Sequence, residues 1–137
     1  MRAQVDVVED TGVLRIELLE NLMPGEIRPL ADAISRSDGF RPGVRVLIDL
    51  RALTEYPNDD DIAVMASKCR LLWLAGTLGC TALVVQRDGF RVARIFQIHS
   101  GDGDPRLAIF RNPDDALRWL TMDKVRYVVP PMVSAVA

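Results

Sequence analysis

The sequence predicts an α/β domain: a mixed, mainly parallel five-stranded sheet with four main helices. Two observations carry this. The runs VRVLIDL (44–50) and CTALVVQ (80–86) are short, nearly unbroken apolar stretches, the pattern of central strands covered on both faces. Stretches with apolar residues at helical spacing follow the strand-like runs in alternation, which implies right-handed crossovers and parallel pairing. The 137 residues are enough for one core and too few for two. The expected organisation is a single domain over residues 1–124 and an apolar C-terminal tail over 125–137.

The elements follow in order. RAQVDVVED and GVLRIELLE are two strands joined by a turn at Asp10, Thr11 and Gly12, an antiparallel hairpin. In the second, Leu14, Ile16 and Leu18 alternate with Arg15 and Glu17, as in a half-buried strand. Ile27, Leu30, Ala31 and Ile34 mark a helix with Pro29 in its first turn and Gly39 as its C-terminal cap. After VRVLIDL, Asn58 caps a long helix whose inner face carries Ile62, Met65, Ala66, Cys69, Leu72, Trp73 and Gly76. CTALVVQ is the next strand, GFRVARIFQIHSG a mostly buried helix, and RLAIF the fifth strand. NPDDALRWLTMD closes as a helix, with Asn112 as cap and Pro113 at the first helical position.

Composition narrows the function classes. A net charge of −2 argues against a nucleic-acid partner. No apolar run approaches the ~20 residues needed to span a bilayer, and the mixed N-terminal stretch does not read as a signal peptide. The expectation is a cytoplasmic protein in which Cys69 and Cys80, both in apolar runs, are reduced and act as small hydrophobes. Only Lys68 and Lys124 are lysine among the basic residues; the arginine excess is read as compositional bias.

The stretches GFRVARIFQ, RLAIFRNPDDALRWL and VRVLIDLR, with the element order over residues 5–120, resemble the SpoIIAA-like (STAS-like) small bacterial proteins. These are related in fold to anti-sigma-factor antagonist domains and more distantly to Sec14-type lipid-binding domains. The resemblance implies a SpoIIAA-like fold. In the antagonist domains, the loop after the central strand presents a phosphorylatable serine at the start of the next helix. The matching residues here are Pro57, Asn58, Asp59, Asp60 and Asp61, and the nearest hydroxyl, Thr54, lies several residues too early. No phosphorylation switch is expected.

The aspartate run itself reads as a helix start, its carboxylates complementing the helix dipole. Consecutive helical side chains diverge by ~100°, so the three do not converge on a metal ion. A fixed negative patch where relatives place a phosphate is the functional alternative. His99 reads as a helix-end cap, and SGDGD (100–104) as a turn, because it lacks the spacing of a calcium loop. Neither a catalytic residue nor a cofactor is expected. At the strand ends, Asp49, Arg51, Arg87 and Arg91 could frame a small anion or polar-headed ligand; a solvated Arg–Asp network is the plainer reading.

Taking Phe90, Ala93 and Phe96 to face the sheet leaves Val92, Ile95 and Ile98 as surplus apolar surface. Together with Tyr127, Val129 and Met132 of the tail, these are the candidate interface of a homodimer. The function expected is a non-enzymatic regulatory or protein-interaction module. The alternative is a carrier or sensor of a small apolar or lipid-like ligand, as the Sec14 relation implies; an enzyme ranks last. An apolar internal pocket would favour the carrier, and a flat apolar patch the interaction module.

Overall fold

The structure is a computed structural model and describes residues 2–23 and 25–122. The elements are β1 (Ala3–Val7), β2 (Leu14–Leu18), α1 (Ile27–Ser35), β3 (Val44–Asp49), α2 (Asp59–Leu74), β4 (Leu78–Val84), α3 (Phe90–Gly101), β5 (Leu107–Phe110) and α4 (Pro113–Thr121). A single 3₁₀ turn, Arg87–Gly89, leads into α3. The sheet runs β1-β2-β3-β4-β5, with β1 antiparallel to β2 and every later pair parallel.

One apolar row crosses all five strands. Val5 pairs with Ile16, Ile16 with Ile48, Ile48 with Leu83 and Leu83 with Ile109. Because side chains alternate across a strand, this row faces one side of the sheet, where α1, α2 and α3 lie. The neighbouring row, Gln4–Glu17–Asp49–Val84–Phe110, faces the other side. There α4 lies over β3, β4 and β5, burying Leu47, Ala82 and Val84 under Ala116 and Leu120. The same face of β1 and β2 carries Gln4, Asp6, Arg15 and Glu17, with Arg15 paired to Asp6 at 2.8 Å.

Local chemistry sets the ends of α2. Asn58 Oδ1 accepts from the Asp61 amide at 2.8 Å, and Asp59, Asp60 and Asp61 fill the first turn. At the other end Gly76 takes φ +75°, the Gly76 amide donates to Trp73 and the Thr77 amide to Leu72. That pair of bonds is a Schellman closure, so Gly76 ends the helix instead of extending its inner face. Gly39 does not cap α1, which ends at Ser35, where Ser37 Oγ donates to the Ile34 carbonyl. Gly39 is required for space: a Cβ there would collide with Val7 and press on Leu14. Phe90 does not face the sheet either. It is 38% exposed, with the Arg111 guanidinium 5.9 Å from its ring centroid.

Arginine side chains tie the loops down, through backbone carbonyls and carboxylates. Arg45 donates to the Leu120 carbonyl (2.6 Å) and to the Thr11 carbonyl (2.8 Å), joining the end of α4 to the hairpin turn. In the α3–β5 turn, Asp102 pairs with Arg94 at 2.6 Å and Asp104 with Arg106 at 2.7 Å. Arg106 also lies 5.6 Å from the ring centroid of buried Trp73, whose Nε1 donates to Thr81 Oγ1 at 3.2 Å. Hydrogen bonds from Arg94 hold the Asp102 carboxyl below the ordinary 3.8. Burial pushes Asp104 up, but the bonds and charge of Arg106 outweigh it and leave that carboxyl below 3.8 as well.

A carboxyl whose pKa is lowered on folding adds stability above its unfolded value, and loses it as pH falls through the folded one. The melting temperature is therefore expected to hold down to about pH 5 and to fall between about pH 4 and pH 2, and Asp104→Asn should flatten part of that fall. Thermal unfolding scans of both proteins across that range check this.

Candidate functional site

A hollow of about 290 Å³ lies between α1, α2 and the apolar face of the sheet. Its floor is Ile16, Val46, Ile48 and Leu83. Because Val46 and Ile48 of β3 and Leu50 just past its end all line it, the hollow runs for roughly 13 Å along this stretch of chain. On one side α1 offers Ile27, Leu30 and Ile34; on the other α2 offers Ile62, Met65, Cys69 and Leu72, which recur at helical spacing. Among α1 side chains only Leu30 is fully buried, so α1 roofs the space without filling it.

Polar groups in the lining are few. Thr81 Oγ1 accepts from Trp73 and donates to the Gly79 carbonyl, so it is satisfied. The Cys69 thiol is pushed up to about 11 by burial and stays protonated, behaving as a small hydrophobe. The Tyr56 hydroxyl is buried without a hydrogen-bond partner, beside Gly89, where a Cβ would stand 2.8 Å away. Burial, and then the Asp88 charge, raise its pKa. Lys68, exposed on α2, is the one charged residue of the lining among the described residues. At the end of the hollow by Leu53, Asn21 joins two loops: its side chain accepts from the Thr54 (2.9 Å) and Glu55 (3.1 Å) amides and donates to Thr54 Oγ1 (3.0 Å).

The four residues expected at the strand ends do not form one site. Asp49 is buried and binds Arg51 through two side-chain bonds, at 3.0 and 2.9 Å, and accepts from the Arg51 amide. This pair borders a polar crevice of about 220 Å³ on the α4 side of the sheet, beside Arg15, Glu17 and Asp114. Hydrogen bonding to Asp49, then the charges of Asp49, Glu17 and Asp114, raise the Arg51 pKa against its partial burial. Arg87 stands exposed in the 3₁₀ turn and Arg91 pairs with Asp59 at 3.2 Å; neither reaches the crevice.

The surplus apolar residues of α3 also divide. Val92 and Ile95 pack partly against the core, and Val92 lines the hollow, whereas Ile98 is exposed. The exposed apolar set that sequence reasoning missed is on α2: Val64, Leu71 and Leu74 are 61–66% exposed. Tyr127, Val129 and Met132 lie outside the described residues. His99 is exposed in the last turn of α3, and Ser100 is fully buried with its hydroxyl donating to the Gln97 carbonyl. Among the described residues no group of three or more His, Cys, Asp and Glu could hold a metal ion, and no helix is long and apolar enough to cross a membrane.

No family model and no curated protein matches the chain. Among solved structures, it is similar to an uncharacterised protein of the DUF3478 family from Shewanella loihica PV-4, described as having a SpoIIAA-like fold. The two are 18% identical, with a TM-score of 0.54 over 87% of this chain and 92% of that one. The fold is SpoIIAA-like, as the sequence led us to expect.

Arg51→Met leaves the buried Asp49 carboxylate without its guanidinium. It is expected to cost about 2–3 kcal/mol, below the 3–5 of a fully buried pair because the Arg51 side chain is partly exposed. Arg91→Met should cost less than about 1 kcal/mol, as for an exposed ion pair. Urea unfolding of the two variants checks the contrast.

Proposed function

We propose that the protein binds a small apolar or lipid-like ligand in the hollow between α1, α2 and the sheet, and acts as a carrier or sensor without chemistry of its own. The observation that supports this is the lining: about 290 Å³ walled by branched aliphatic side chains. Protein interiors normally pack without such voids, since unfilled apolar space forfeits dispersion contacts and costs stability in proportion to its volume. A ligand that fills the space recovers those contacts. The volume sits at the low end of the ~300–1,000 Å³ typical of small-molecule sites. We place this activity in the cytoplasm, from the sequence reading above.

Filling the hollow tests the proposal. Cys69→Leu extends a side chain into it and should raise stability by about 0.5–2 kcal/mol, as cavity filling commonly does, while weakening ligand uptake. Native mass spectrometry of both proteins purified from the host reads the result. Wild type should carry a retained small molecule and the variant should not; two proteins that both emerge empty, or both loaded, count against the hollow as the site.

A second reading is contact with another copy of the chain, supported by the exposed Val64, Leu71 and Leu74 of α2. Burying each such side chain contributes ~1.5–3 kcal/mol. Sedimentation at micromolar concentration should then show a dimer that Leu71→Lys converts to monomer; a monomeric wild type ends this reading.

A further inference from the structure

The hollow carries a charge asymmetry that narrows its ligand. Among the described residues, twenty-seven line it; Lys68 is a cation and none is a carboxylate. Lys68 is exposed on α2, one turn from Met65 and Leu72, on the side of the helix that faces the hollow. It therefore stands where the apolar space meets solvent.

Arg15, Arg51, Arg91, Arg94 and Arg106 are each held by an aspartate within 3.2 Å. Lys68 shares with Arg28, Arg36, Arg41, Arg87 and Arg111 the lack of an ion pair among the described residues, and differs from them in lining the hollow. A lysine ammonium is a compact charge on a flexible four-carbon stem, which lays its methylenes along apolar surface while the head stays in water. An ion pair formed there needs no further burial of the charge, so it escapes the desolvation penalty that a deep site would impose.

The dimensions limit the apolar part. The lining from Val46 and Ile48 of β3 to Leu50 just past its end spans roughly 13 Å, which suits an extended chain better than a compact ring system. Its volume, about 290 Å³, is small for a ligand with two chains.

Resting on the ligand-binding reading above, we infer that the ligand is a single-chain amphiphile with a carboxylate head: the chain lies on Ile16, Val46 and Ile48 and the head pairs with Lys68 at the mouth. The pairing is exposed, so its contribution is modest and falls as salt is added.

Three ligands with the same tail separate the possibilities: dodecanoate, dodecanol and dodecyltrimethylammonium, titrated calorimetrically below their aggregation concentrations. Dodecanoate is expected to bind about three- to fivefold tighter than dodecanol, the scale of an exposed ion pair. The preference should shrink in high salt, collapse to about unity in Lys68→Met and persist in Lys68→Arg. A preference that survives Lys68→Met, or a cationic ligand binding as tightly as dodecanoate, overturns the head-group assignment. Equal binding of dodecanoate and dodecanol to wild type sinks that assignment and leaves the ligand-binding reading standing. If none of the three binds, the ligand-binding reading falls and takes this inference with it.

Discussion

The apolar row Val5–Ile16–Ile48–Leu83–Ile109 is the constraint on which the rest of the molecule depends. Five strands laid side by side in chain order, with parallel crossovers of one hand, send α1, α2 and α3 to the same side of the sheet. That side therefore has to be apolar from edge to edge. Among the described elements the opposite side receives α4 alone, which is long enough to cover three strands. Beyond β3 its apolar residues are confined to the hairpin turn, where Val8 and buried Val13 join the α4 cluster, and β2 presents Arg15 and Glu17 on that side. The polarity of β2 and the continuous hydrophobicity of β4 thus follow from how many helices each face receives.

The same topology puts the proposed ligand site away from where open α/β sheets usually have one. In doubly wound sheets the crevice opens where strand order reverses and neighbouring helices leave on opposite faces. The order β1-β2-β3-β4-β5 contains no reversal. The ends of β3 and β4 therefore diverge in use, with Asp49 and Arg51 on the α4 side and Arg87 and Arg91 at the start of α3. The available space instead appears between two helices on one face, where α1 stands off from α2.

Elements with a local cause were legible in the sequence. Asn58 and Asn112 announce helix starts through their side-chain oxygens, Pro113 fits the first helical position, and the branched runs around Val46 and Leu83 admit no other role than covered strands. What depended on a pair of distant elements was not legible. The α3 sequence is apolar at most positions, so its periodicity could not say that Phe90 turns outward while Val92 and Ile95 turn partly in. Gly39 looked like a helix end because nothing near it in sequence reveals Val7 pressing on it. The hollow itself has no sequence signature, being the distance between two ordinary amphipathic helices. The one signal that could have drawn attention to its mouth was Lys68, a lysine in a chain that otherwise uses arginine almost throughout.

Agreement between chain order and sheet order also bears on how the molecule assembles. Each strand pairs with its immediate predecessor, so every crossover closes a short loop and no early strand waits for a late one. Low sequence separation between partners favours rapid folding, and such a chain can add one strand–helix unit at a time as it leaves the ribosome. Among the described residues, the hydrogen bond of longest sequence separation runs from Arg45 to the Leu120 carbonyl, across 75 positions. Docking of α4 thus makes the most distant of these contacts, and it is what covers Leu47, Ala82 and Val84. The interval before α4 arrives is when a nascent chain of this kind most needs a chaperone.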